Sequence, residues 1–420
     1  MSPSESRSGL PCDLLTRPED LLVRGRVGIP LGPLRDVDGL LRGRDGLGAP
    51  LGVAADRVPR RGRRDPRAPL RPVGSDVRAE PDPNAARRSS VVAMKAIEYT
   101  DYGSPDVLSV TELDRPTPGN RELLIRVVAT TVTSAECGMR RGEPRWGRVI
   151  LGFTAPRRRM RVLGTEVAGI VETVGRDVTR FQPGDHVFGF TGFRLGANAE
   201  YACMPENGSL ALKPPNISFG QAAAAVDGAT TALYFLRDKA KVLPGQRVLI
   251  IGASGSIGTY AVQLAKHLGA QVTGVCGPGN VDLVASLGAD RVIDYTAQDF
   301  TEDGEKYDVI FDTLGKSSFR RCKAALTRSG CYVPTTGLPN NVLMLWTALT
   351  GGPRVVTGMS VKKNDALAFL TELIEADELT IVIDRTYPLE QIADAHRHVE
   401  TGHKRGNVVV LVSPQLSTEF

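Results

Sequence analysis

From Met94 onward the chain breaks into short apolar runs separated by Gly and Pro, each about the length of a strand. Met94-Lys95-Ala96-Ile97 opens the series and Tyr102-Gly103-Ser104-Pro105 turns it. Leu123–Ala129, Val162–Glu172 and Val187–Phe190 continue it, the last entered through Pro183-Gly184-Asp185. This texture predicts a small β-barrel-like domain over residues 94–212. After Lys213-Pro214-Pro215 the pattern changes, with strands predicted at 248–251, 271–276, 291–293, 307–311, 330–333 and 354–356 and helical stretches between most of them. Such alternation implies a parallel sheet with right-handed crossovers, here over 213–357. Residues 358–420 hold two amphipathic helices, about 363–376 and 389–401, and two strands, 381–383 and 408–411, expected to return to the first domain.

The first strand of the alternating region, Val248-Leu249-Ile250-Ile251, runs into Gly252-Ala253-Ser254-Gly255-Ser256-Ile257-Gly258. Ile257, Ala261, Val262, Ala265 and Leu268 then share one helical face. Strand, glycine turn and helix together make a dinucleotide fingerprint. Gly252 permits the turn, Gly255 lets backbone N–H groups approach a pyrophosphate, and Gly258 lets the helix lie close on the sheet. The helix N-terminus adds unpaired donors and partial positive charge. The competing reading is a structural loop of another α/β protein.

Charge changes the picture only once it is placed. Residues 1–93 hold 17 Arg, no Lys and 12 acidic residues, which accounts for the whole net charge of +5. The same segment has no aromatic residue and 12 of the 28 prolines, so it is expected to be disordered, since it has little apolar surface to bury. Its acidic residues argue against a targeting peptide; a plain tail, or translation starting at Met94, fits better. The six cysteines, Cys12, Cys137, Cys203, Cys276, Cys322 and Cys331, are widely spaced with no C-x-x-C, as expected of reduced thiols in a cytoplasmic protein. No apolar run is long enough for a bilayer span.

Several ordered motifs carry a family resemblance over about 94–413. They are Met94-Lys95-Ala96, Gly169-Ile170-Val171-Glu172 with Val174-Gly175, Pro183–Gly189, Thr231-Ala232-Leu233, Gly252–Gly258, Leu287-Gly288-Ala289-Asp290, Phe311-Asp312-Thr313-Leu314-Gly315 and Gly406-Asn407-Val408-Val409. The chain resembles the medium-chain dehydrogenase/reductase superfamily, and most of all its zinc-independent, quinone oxidoreductase-like branch. The resemblance implies an α/β fold: a Rossmann doubly wound parallel sheet plus a GroES-like β-barrel-type catalytic domain, with the active site between them. It also implies a homodimer. By motif register the three catalytic zinc-ligand positions of zinc-dependent relatives fall on Thr133, Thr165 and Asp227. A hydroxyl is a poor zinc ligand beside Cys, His or carboxylate, so no metal is expected.

The implied cofactor contacts are Thr231, Gly252, Ser254, Gly255, Ser256, Ile257, Cys276, Tyr295, Leu314 and Gly337. The second Rossmann strand ends Gly274-Val275-Cys276-Gly277-Pro278-Gly279-Asn280 without a carboxylate, so a 2′-phosphate is not repelled and NADPH is favoured, with NADH still possible. Relatives often carry Lys or Arg near Gly279; this stretch has neither. The implied reaction is hydride transfer from the cofactor to a quinone or an α,β-unsaturated carbonyl. Thr133 and Thr165 are candidate hydrogen-bond donors to the developing oxyanion, and Glu136 a candidate orienting or proton-relaying group; all three can equally be structural. Other readings stay open: a metal-free alcohol dehydrogenase, or an inactive nucleotide- or RNA-binding protein using the basic run Arg140, Arg141, Arg145, Arg148, Arg157, Arg158, Arg159 and Arg161. A solvated loop face is the plainer account of that run, and nucleic acid is not the expected partner. His396 and His186 read as core histidines.

Overall fold

The computed structural model describes residues 92–335 and 339–416. The expectation of disorder over 1–93 therefore falls almost wholly outside the described residues, and Cys12 and the proposed cofactor contact Gly337 lie outside them entirely.

Strands β1 (Ala93–Glu98) and β2 (Ser109–Asp114) form an antiparallel pair. Then β3 (Glu122–Thr131), β4 (Glu166–Val174), β5 (His186–Phe190), β6 (Tyr201–Pro205) and β7 (Ser209–Leu212) pair antiparallel. The strand expected from Val162 starts only at Glu166, because Gly164 takes φ 103° and a Cβ there would sit 2.4 Å from the Asn198 amide nitrogen.

The parallel sheet holds β8 (Arg247–Ile251), β9 (Gln271–Cys276), β10 (Arg291–Asp294), β11 (Tyr307–Asp312), β12 (Leu326–Pro334) and β13 (Arg354–Val355), in the order β10-β9-β8-β11-β12-β13. The chain moves outward from β8 in one direction and then from β11 in the other. The switch point lies between β8 and β11, and ligands bind beyond the carboxyl ends of strands at such a point. Val248, Leu249 and Ile250 are all fully buried, as a central parallel strand covered on both faces requires.

Strands β14 (Ile383–Pro388) and β15 (Asn407–Leu411) join the antiparallel sheet through β3, giving β14-β15-β3-β4-β5-β7, with β6 also on β3. The sequence pattern misplaces β14 at 381–383. Its polar Asp384-Arg385-Thr386 reads as loop, but β14 is an edge strand with one side in water, where polar residues are tolerated.

Helix α1 (Ser134–Arg141) follows β3; α2 (Phe219–Ala224) and α3 (Asp227–Leu233) lead into the parallel sheet; α4 (Ser256–His267) follows β8. One apolar cluster runs through both sheets, from Val128, Ala168 and Phe188 through the alanines of α2 and α3 to Val248, Ile250 and Phe311. The two sheets are thus joined by one continuous core. Helix α5 (Pro339–Thr350) lies beside β13, and α6 (Asn364–Glu375) and α7 (Ile392–Glu400) fall within the stretches expected to be helical.

Candidate functional site

The turn after β8 brings glycine backbone and a helix N-terminus together. Gly252 has φ 79°, and a Cβ on Gly258 would lie 2.0 Å from the Gly252 carbonyl oxygen, so α4 starts closer to β8 than any side chain permits. Gly255 caps α4 with no side-chain hydrogen bond, leaving the first-turn N–H groups of this 12-residue helix without a side-chain acceptor. The segment before β15 closes on this turn from the other sheet: Gly406 N donates to Ser254 O at 2.8 Å, and Ser256 Oγ hydrogen-bonds Asn407 Oδ1. Asn407 Nδ2 also donates to Tyr260 Oη at 3.2 Å, so the tie reaches into α4.

Below the turn lies a knot of buried charge. Glu166, at the start of β4, accepts from Asp227 N at 2.6 Å and hydrogen-bonds the Thr131 hydroxyl. Burial pushes its carboxyl up to about 8, and the Asp227 charge adds to the effect. Asp227, the first residue of α3, accepts at Oδ1 from Lys363 Nζ at 2.7 Å and from Thr231 Oγ1 at 3.3 Å. Lys363 is fully buried; its ammonium also donates to Thr230 Oγ1 at 2.8 Å and stands 4.5 Å from the centre of the Phe190 ring. A third carboxyl, Glu136, is fully buried in α1 and pushed up to about 7 by burial, against the opposing pull of N–H donors from Thr133 and Gly164.

The proposed catalytic trio divides accordingly. Thr133 is the N-cap of α1, its hydroxyl accepting from Glu136 N at 3.2 Å while Glu136 Oε2 accepts from Thr133 N at 3.1 Å. Such a reciprocal box satisfies two helix-end donors. Glu136 Oε1 accepts from Gly164 N at 2.7 Å, so it ties α1 to the loop that presents Thr165, itself buried. A hollow open to solvent lies on the outer side of α1, lined by Ser134, Met139, Pro144 and Phe193 with Arg141 and Arg145 at its edge; neither Thr133 nor Thr165 lines it.

Among the proposed cofactor contacts, Gly252, Ser254, Gly255, Ser256 and Ile257 come together in the turn. Leu314, half-exposed, packs over it: a Cβ on Gly252 would meet Leu314 Cγ at 2.5 Å. Cys276 is buried at the end of β9, and burial pushes its thiol up to about 11. Tyr295 is exposed beside Gly277, and its N–H donates to Cys276 O at 3.1 Å. Thr231 is bound into the Asp227–Lys363 knot, on the helix whose Gly228 packs against Ser256.

The basic run is largely spent within the protein. Arg140 is buried against Gly103 O and Glu400, Arg141 pairs with Glu143 at 2.8 Å, and Arg148 bonds Gly142 O at 3.0 Å over the Tyr102 ring. Arg157 holds Val149 O at 2.9 Å and Arg161 lies 3.6 Å from Glu98. His396 Nδ1 is 3.3 Å from Cys137 Sγ, but burial pushes the imidazole down to about 3 and the thiol up to about 12. The pair is neutral and packs in the core. His186 lies on β5 with its ring 4.9 Å from that of Phe219.

Sequence reasoning passed over Glu166, Lys363 and Asn407. Glu166 and Asn407 stand within quoted motifs, so their signal was adjacency to Thr165 and Gly406. Lys363 lies 136 residues from Asp227 with no local pattern to mark it.

Two family models match: one for the GroES-like domain of alcohol dehydrogenases over residues 119–215, the other described as zinc-binding dehydrogenase over 287–410. The chain is 33% identical over 332 residues to a chloroplastic quinone-oxidoreductase of Triphysaria versicolor, covering 76% of this chain and 98% of that protein. It is 32% identical over 339 residues to a chloroplastic NADPH-dependent alkenal/one oxidoreductase of Arabidopsis thaliana, covering 76% and 80%. Among solved structures it resembles the Escherichia coli quinone oxidoreductase complexed with NADPH, at 26% identity and TM-score 0.66, covering 76% of this chain and 100% of that one.

Proposed function

Since the chain belongs to the medium-chain dehydrogenase/reductase superfamily, in its quinone oxidoreductase-like branch, we propose that its cleft uses NADPH, without zinc, to reduce an electron-poor acceptor. The protein is an NAD(P)H-dependent reductase whose substrates are small electrophiles, quinones or enones. A nicotinamide dinucleotide with its pyrophosphate at the β8 turn would supply hydride to the acceptor from its nicotinamide end. The glycine turn and the first turn of α4 hold its pyrophosphate. Leu314 covers the turn, and Asn407 fixes the start of α4 against the catalytic sheet.

The observation that carries the zinc-free reading is the fate of Asp227. It is the only carboxylate among the three register positions, and Lys363 already neutralises it at 2.7 Å. Thr133 and Thr165 offer hydroxyls where zinc would need thiolate or imidazole. Their role is to donate to the acceptor oxygen as charge develops on it, with Glu136 as the residue that positions Thr133 and the Thr165 loop.

Among the described residues no helix is long and apolar enough to cross a membrane. The described cysteines are all unpaired, which suits a reducing compartment such as the cytoplasm. The functional unit is a homodimer.

NADPH oxidation with a quinone and with an alkenal, before and after a chelator, tests this reading. Turnover that survives chelation in metal-free protein is expected. Turnover lost with the metal, or confined to alcohols, would overturn it, as would tight cofactor binding with no turnover.

A further inference from the structure

The end of β9 poses a problem of charge. Its turn, Gly277-Pro278-Gly279-Asn280, offers neither an acid for ribose hydroxyls nor a base for a 2′-phosphate. The structure brings a base there from far along the chain. A Cβ on Gly279 would lie 3.4 Å from an Arg405 guanidinium nitrogen. Arg405 is exposed and makes no ion pair or hydrogen bond among the described residues, whereas its neighbour Lys404 donates from Nζ to Gly406 O at 2.6 Å. Its place is fixed by its surroundings: Gly406 N donates to Ser254 O, and Gly406 pairs with Gly255 in an isolated parallel bridge. The other side of the turn is also pinned, because Asn280 Nδ2 donates to Ser254 Oγ at 3.1 Å. Across Gly277 stands Tyr295, 59% exposed, its ring 3.5 Å from where a Cβ would be. The nearby acid Asp294 is occupied, its Oδ1 accepting from Thr296 N and Oγ1 at 2.9 and 2.8 Å.

An unpaired guanidinium and an exposed aromatic thus flank a glycine turn at the carboxyl end of the second Rossmann strand, where the adenosine ribose of a dinucleotide lies. Guanidinium is the side-chain group best matched to a phosphate, through paired charge-assisted N–H donors. We infer that Arg405 is the residue that selects a 2′-phosphorylated dinucleotide, supplied by the segment entering β15 rather than by the Rossmann strand itself. The inference rests on the NADPH reading above and names the residue responsible.

The test is equilibrium binding of 2′,5′-ADP and of 5′-AMP to the full chain and to Arg405→Ala and Arg405→Gln. Wild type is expected to bind 2′,5′-ADP the more tightly. Both variants should weaken 2′,5′-ADP by about 10- to 100-fold, the range for a charge-assisted bond, and leave 5′-AMP within about twofold. Retained 5′-AMP binding also reports that the site is folded. Wild-type preference that survives both substitutions would overturn the assignment to Arg405 while leaving NADPH use intact. Equal binding of the two nucleotides by wild type would overturn the NADPH reading and the inference with it. Loss of both nucleotides in both variants would show that Arg405 supports the turn rather than reads the phosphate, and so would also overturn it.

Discussion

Lys363 has no surface open to solvent, yet its ammonium meets one carboxylate, two threonine hydroxyls and an aromatic face. Burying a charge this way is costly unless it is paired, and removing one partner of such a pair typically costs about 3–5 kcal/mol. Asp227→Asn should therefore destabilise the protein by about that much, because it strands Lys363. Lys363→Met in the same background should recover most of the loss; urea denaturation of the single and double variants measures both. If the double variant were no more stable than Asp227→Asn, the pair would not be the source of the penalty. Glu166 makes a second prediction, through pH. Its folded carboxyl is held up to about 8 from an ordinary 4.5, so the folded state keeps a proton that the unfolded chain has released. That contribution is complete below about pH 4.5 and fades as pH rises through about 8, the reverse of an ion-paired carboxylate. Wild-type melting temperature should fall from pH 5 to 8.5 more steeply than that of Glu166→Gln; parallel curves would count against it. At this scale the sequence was half legible. Asp227 stood out by register, but its partner Lys363 did not, because nothing local records a contact across 136 positions.

The elements proposed to cup the cofactor were the easiest to read, since the β8 turn obeys a steric rule that only glycine satisfies. Gly258→Ala tests that rule. The added methyl would meet the Gly252 carbonyl oxygen at 2.0 Å, and backbone cannot step aside as a flexible side chain can. Overpacking of this kind costs about 1–3 kcal/mol, and the displaced α4 should also lose most nicotinamide-nucleotide affinity, read by fluorescence titration. Binding unchanged within twofold would mean that α4 need not approach β8 so closely. The strands of the parallel sheet were legible for a related reason: fully buried strands are apolar throughout, and β8 and β9 match their expected spans within a residue. β14 was not, because on a sheet edge Arg385 and Thr386 face water and erase the alternation. The approach of Gly406 to Gly255 was equally hidden, since both motifs were visible but the bridge between them belongs to tertiary structure.

At the scale of the whole molecule, the two faces of α5 differ sharply among the described residues. The inner face of α5 is accounted for: Leu343 and Met344 pack on the core beneath it, and Thr347 Oγ1 accepts from Val355 N at 3.0 Å. Its outer face presents Val342, Leu345, Trp346 and Leu349 at 70, 66, 54 and 88% exposure, with Met359 at 68% nearby in the chain. Contiguous apolar side chains on one helix face mark an interaction surface rather than scattered surface residues. The adjoining strand, β13, ends the parallel sheet and pairs only with β12 among the described residues, its outward Val355 N–H being taken by Thr347. An apolar helix face can meet the same face of a second copy across a two-fold axis, the commonest symmetry for two identical chains. The homodimer proposed above should use this face. Light scattering should then give twice the 45.1 kDa chain mass for wild type at micromolar concentration. Leu345→Glu with Leu349→Glu should give the single chain mass, with the fold unchanged by circular dichroism, since neither side chain is buried in the protomer. A wild type that sediments as one chain, or a double variant that remains a dimer, would place the contact elsewhere or nowhere. The Arg405 site and the β8 turn lie on other elements, so the monomeric variant should still bind 2′,5′-ADP, which separates assembly from cofactor recognition in one preparation.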